Sequence, residues 1–157
     1  MSIVVWTSAA LIVLGVSGAL AYRPLRRMLR EIEVERAREL FRLQRERLEA
    51  KFIELASSTG KPKGLRWEHC EFHSPVSFVR DRSSRQLSAF IEVTIRFSAI
   101  EGEGMEEVAA VNDLRNATAV FHYHHGHWGT GGRVLFNMNP EEAIHRYQEQ
   151  FEPIPIA

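Results

Sequence analysis

No charged residue separates the initiator methionine from Arg23, and the run Ser2 to Tyr22, SIVVWTSAALIVLGVSGALAY, is largely apolar. As a helix rising ~1.5 Å per residue, about twenty such residues cross the ~30 Å hydrocarbon layer while satisfying every backbone polar group internally. Residues 1–22 are therefore expected to form a transmembrane helix that meets membrane lipid through residues 2–22. The alternative is a cleavable signal peptide, for which Ala19-Leu20-Ala21 offers a small-x-small pattern. Against cleavage stand the length of the run, the absence of Lys or Arg before it, and Arg23, Arg26, Arg27 and Arg30 directly after it. By the positive-inside rule these arginines stay in the cytoplasm, which makes the run a single-pass signal anchor with the rest of the chain cytoplasmic. The one cysteine, Cys70, cannot form an intramolecular disulfide and suits a reducing compartment. Gly15 and Ala19 have the small-xxx-small spacing through which two spans can approach, one route to a homodimer.

After Tyr22 the composition changes abruptly. Residues 23–58 interleave Arg and Glu with Leu and Ala and contain no Gly or Pro beyond Pro24, which predicts a charged amphipathic helix. Its apolar stripe runs through Leu25, Met28, Leu29, Ile32, Ala37, Leu40, Phe41, Leu48, Phe52 and Leu55 and breaks at Gln44 to Arg47, so no strict heptad is sustained. The plainer reading is a stalk whose apolar face packs on the following domain or on a sister helix; the other is a dedicated dimerisation coiled coil. Residues 59–64, rich in Gly, Lys and Pro, read as a linker.

Residues 65–157 are enough for one modest core. The stretch Gln86 to Ala99 alternates strictly: Leu87, Ala89, Ile91, Val93, Ile95, Phe97 and Ala99 point one way, and Ser88, Glu92, Thr94, Arg96 and Ser98 the other. That pattern predicts a strand with one buried and one mostly wet face. Val76 to Arg80 precedes it across the polar turn Asp81 to Arg85 and should pair with it as a hairpin. Leu65 to Phe72 reads as a further strand ended by Pro75, and Val134 to Phe136 as another. Asn139, Pro140 and Glu142 mark a helix start, with Ala143, Ile144, Tyr147 and Phe151 as its buried stripe and Pro153 and Pro155 as its stop. The expected fold is α+β: a small antiparallel sheet domain with a C-terminal helix packed on it, following the transmembrane and stalk helices.

Chemistry concentrates in Phe121 to Trp128, FHYHHGHW, which holds four of the chain's seven histidines. If His125-Gly126 is a two-residue turn, Tyr123 faces Trp128 across a hairpin while His122, His124 and His127 gather on the opposite side. His-x-His plus a third His from the neighbouring strand can hold zinc with a water as fourth ligand. If the loop is His124-His125-Gly126 instead, the cluster disperses, because a one-residue slip flips every side chain. His122, His124 and His127 are the candidate metal ligands; zinc is the one cofactor they suggest, and otherwise none is expected. A solvated histidine-rich hairpin with a structural aromatic face is the plainer account, and a pH-responsive surface a third.

Other candidates are weaker. Cys70 and His69 are strand neighbours pointing to opposite faces, so no thiolate-base pair follows. Gly129-Thr130-Gly131-Gly132 lacks both the dinucleotide-binding spacing and a Lys-Ser/Thr ending, and reads as glycines that relax or bulge a strand. Glu101, Glu103, Glu106 and Glu107 form an acidic turn, and Asn116-Ala117-Thr118 is a glycosylation sequon that a cytoplasmic domain would not use. The chain is formally neutral, and no basic stripe interleaved with aromatics speaks for nucleic acid.

Through VTIRFSAIEG, MEEVAAVNDLRNATAVFHY and WGTGGRVLFNMNPEEAI, roughly residues 75–150, the chain resembles small hypothetical bacterial membrane-anchored proteins with a C-terminal domain of unknown function. That resemblance implies an anchored domain and carries no activity. The sequence thus favours a membrane-tethered noncatalytic module that presents an α+β domain to a protein partner. The alternative is a metal- or small-ligand-binding protein, as a binder or as an enzyme, centred on the histidine hairpin.

Overall fold

The computed structural model describes residues 2–59, 64–102 and 113–155, with the side chains of residues 2–21, 23, 26 and 27 outside that description. The helix α1 spans Ser2–Thr59 and passes through Pro24 without ending. The expected transmembrane side chains fall outside the described residues; among the described residues no helix is long and apolar enough to cross a membrane. The chain divides into two compact units, Met1–Glu39 and Leu40–Ala157. The first unit is helix alone, and on it Leu25, Met28, Leu29 and Ile32 are exposed.

The second unit begins inside α1, earlier than the linker at 59–64 suggests, because Phe41, Leu48, Phe52 and Ala56 are buried as part of its core. Among its described residues six strands form one sheet: β1 (Leu65–Asp81), β2 (Leu87–Ala99), β3 (Arg115–His124), β4 (His127–Gly129), β5 (Val134–Phe136) and β6 (Phe151–Pro153). The order is β4-β3-β2-β1-β6, with β5 also on β3, and every pairing is antiparallel. A short helix, α2 (Pro140–Arg146), precedes β6. The fold is α+β.

Register divides the side chains between two faces. Phe78, Ala89 and Phe121 are opposed across three strands, as are Phe72, Val93 and Ala117, and so share one face. Against that face lie Phe41, whose ring is 5.9, 5.5 and 4.9 Å from Phe78, Phe121 and Trp128, and Phe52, 6.4, 5.6 and 5.6 Å from Trp67, Phe72 and Phe121. Most of these contacts are edge-to-face, the preferred aromatic geometry. Burying each Phe contributes about 2–3 kcal/mol.

The alternation of β2 holds, but its second face is not mostly wet. Phe90 joins Val79, Val120, Leu135, Ala143 and Phe151 in another core cluster on that side, over which α2 packs. The C-terminal helix therefore covers the face opposite the one that α1 covers. Its capping box forms, Asn139 Oδ1 accepting from the Glu142 N–H at 2.9 Å and Glu142 Oε2 from the Asn139 N–H at 3.0 Å. It is shorter than its sequence stripe: Phe151 sits on β6, where its ring reaches Phe90 at 5.3 Å, after the Gln150 and Phe151 amides both turn back to the Tyr147 carbonyl. Pro75 does not end a strand either. β1 runs through it with a register shift between Phe72 and Val76, an irregularity that accommodates a residue without an N–H.

Candidate functional site

The histidine hairpin takes the two-residue-turn register, which puts His122, His124 and His127 on one face. His125 and Gly126 have φ of +48° and +82°, as a type I′ two-residue turn requires. Tyr123 opposes Trp128 with rings 5.1 Å apart, and His124 opposes His127. His122, two residues before His124, shares their face, away from Phe41 and the α1 side.

Within that shared face the three rings have different surroundings. His122 is half-buried and shares a 3.1 Å hydrogen bond through Nδ1 with Oγ of the buried Ser88. Burial, with Arg133 nearby, holds its pKa below the usual histidine value, so the neutral ring is favoured. His127 is exposed and donates from Nδ1 to the His125 carbonyl at 2.9 Å, while the His124 ring lies 4.0 Å from that of His125, tilted by 59°. Among the described residues no group of three His, Cys, Asp or Glu side chains is arranged to hold a metal ion.

Two of the hollows lined by described residues lie beside the chemistry-bearing side chains. One, of about 480 Å³, lies between α1 and β4, with Leu48, Lys51, Trp128 and Thr130 in its wall. The other, of about 460 Å³, is polar and includes Glu92, Asn116, Asn137 and Asn139. Cys70 faces α1 from β1; burial, then the nearby Glu49 carboxylate, pushes its thiol up to about 12. The Gly129–Gly132 stretch cradles no ligand-binding helix end: Thr130 Oγ1 accepts from the Gly132 N–H at 3.0 Å and donates to the Val120 carbonyl at 3.0 Å, tying the loop to β3. Of the acidic turn, Glu103, Glu106 and Glu107 lie outside the described residues.

The feature least visible in the sequence is the outer edge of β1. On its inner side β1 pairs with β2 from Leu65 to Arg80, but on its outer side β6 covers only Val79–Asp81. Among the described residues no strand pairs with the outer edge of Leu65–Phe72. Its limits are physical. Beyond Phe72, Arg45 on α1 donates from Nη2 to the His73 carbonyl at 2.6 Å and from Nη1 to the Ser74 carbonyl at 3.1 Å, with its Nε held by Glu49 at 2.6 Å, and Pro75 has no N–H to offer. Along this edge Arg66, Glu68, His69 and Glu71 are exposed, while Trp67, Cys70 and Phe72 are half-buried.

Comparison with protein-family models, curated proteins and solved structures finds no match to this chain.

Proposed function

We propose that the chain is a membrane-tethered noncatalytic module whose α+β domain binds protein through the outer edge of β1. The observation that carries this reading is the eight-residue stretch Leu65–Phe72, whose outer backbone groups have no strand partner among the described residues. Such an edge recruits an extended segment by main-chain hydrogen bonds, with alternate side chains supplying specificity. The tether is the uncharged run of residues 2–22, oriented by Arg23, Arg26, Arg27 and Arg30 with the domain on the cytoplasmic side. These arginines also sit where anionic lipid headgroups would attract them. The test is a photo-cross-linking benzoylphenylalanine at position 69 of the full chain in its native cells, with position 146 on exposed α2 surface as control. A discrete protein adduct from position 69 and none from position 146 is the expected result. Equal adducts, or none, would refute the reading.

The second reading, zinc or a small ligand at His122, His124 and His127, is supported by their shared face. Elemental analysis and zinc titration of the wild type against the triple His-to-Ala variant decide it: stoichiometric zinc lost in the variant would establish a site.

A further inference from the structure

We infer that the segment occupying the outer edge of β1 is the same segment of a second copy of this chain, paired antiparallel about a two-fold axis between Glu68 and His69. The inference rests on the reading of that edge as the interaction surface and names its occupant. Two features of Leu65–Phe72 bear on it: charge favours a second copy, and the bulge fits the same register.

The first is charge. The edge runs from Leu65 to the irregularity at His73–Pro75, and the register that pairs all of it with itself sets Leu65 opposite Phe72, Arg66 opposite Glu71, Trp67 opposite Cys70 and Glu68 opposite His69 of the second copy. Opposed residues in an antiparallel pair share a face. Full overlap thus brings each exposed Arg66 against an exposed Glu71, twice by symmetry. It also sets the half-buried Phe72 and Trp67 against Leu65 and Cys70. Within one chain Arg66 and Glu71 are opposed to Ser98 and Thr94 on β2, so their complementarity is not used up by that pairing.

The second feature is the bulge. The register of β1 against β2 shifts between Trp67 and His69, which leaves Glu68 as an extra residue. Leu65, Trp67, Cys70 and Phe72 consequently share the α1-side face although their spacing is not regular. β2, itself a regularly alternating strand, takes up the extra residue by leaving Glu68 outside the pairing, so Trp67 and Cys70 still oppose Phe97 and Ile95 on that face. A second copy carries the same extra residue at the centre of the pairing, so its α1-side residues stay opposite the first copy's throughout. The bulge therefore fits the full self-pairing register. An eight-residue ladder is a small interface, and confinement of both copies to one membrane would raise their effective concentration.

The experiment is sedimentation equilibrium of the full chain in density-matched detergent micelles, with R66E, E71R, an equal mixture of the two, and the double variant R66E/E71R. All these substitutions are at exposed positions, and unchanged melting of each variant confirms folding. The wild type should be dimeric. R66E alone sets two glutamates against Glu71, and E71R alone sets two arginines against Arg66, so each should associate at least tenfold more weakly. The mixture should form heterodimers, and the double variant should regain wild-type association. A monomeric wild type, single variants as dimeric as the wild type, or failure of the mixture to restore association would overturn the proposal. If the cross-link from position 69 then joins a protein of another mass, the interaction reading survives and the second-copy assignment does not; with no cross-link, both fail.

Discussion

Gly132 lies so close to Ala56 that a Cβ built on the glycine would stand 2.6 Å from the Ala56 amide nitrogen and 2.9 Å from atoms of Leu55. Its φ of +72° adds a conformation that L residues rarely adopt. The loop before β5 therefore passes under α1 with no room for a side chain, and this contact joins the helix to the sheet end of the domain.

Gly132→Ala should lower stability by about 2–4 kcal/mol, from overpacking against backbone that cannot yield plus left-handed strain. Gly129→Ala and Gly131→Ala meet nothing within 4 Å and have no positive φ, so they should stay within about 1 kcal/mol of wild type. Thermal and denaturant melts of the three variants check the contrast; equal losses would mean that the close approach does not matter.

The turn at His125-Gly126 is strained at its first position, where a histidine holds φ at +48°. Asn tolerates that region better and is favoured in type I′ turns, so His125→Asn should raise stability by about 0.5–1 kcal/mol. Gly126→Ala meets no neighbour within 4 Å and should cost about 1–2 kcal/mol through backbone strain alone.

Asp81 organises the β1–β2 turn. Its Oδ1 accepts from the Ser83 hydroxyl at 2.6 Å and from the Ser83 and Ser84 amides at 2.9 and 2.8 Å, and Oδ2 accepts from Gln150 at 3.0 Å. These bonds, the Ser83 hydroxyl first, hold its carboxyl well below the usual range. Because the folded pKa is depressed, the stabilisation is fully present above the unfolded value near ~4 and is lost as pH falls below it. Asp81→Asn should therefore flatten the stability profile between about pH 4 and 2, which chemical denaturation across that range would reveal.

Features fixed by neighbours a few residues apart were legible before the fold was known. The Asn139–Glu142 capping box and the alternation of β2 are of this kind, because capping and a period of two act locally; for the hairpin the sequence left two registers open, of which the structure takes the His125-Gly126 one. What escaped depends on distant partners. Phe151 reads as the end of a helical stripe, but pairing with β1 some seventy residues earlier pulls it into β6. Packing of the Phe41 and Phe52 face on the following domain was one expectation for the stalk; its particular partners there, Phe121 and Trp128, depend on the assembled sheet. The open edge of β1 was hidden for the same reason: Pro75 signals an ending, whereas Arg45, thirty residues upstream, supplies the bonds that carry the chain through it.

Cys70 gives the last prediction, and its sign follows from burial. The thiol is pushed up to about 12 by desolvation and then by Glu49, against 9.0 for an ordinary cysteine, so the native chain holds its proton through a range in which the unfolded chain has lost it. At pH 8 the folded thiolate is about a thousandfold scarcer than in the unfolded chain, and alkylation by iodoacetamide should slow by a comparable factor until denaturant is added. Stability should decline as pH rises from about 9 to about 12, with part of that decline removed in Cys70→Ala. Rapid alkylation of the native chain at pH 8 would show that the thiol is not held behind α1, and the packing of α1 against β1 would then need revision.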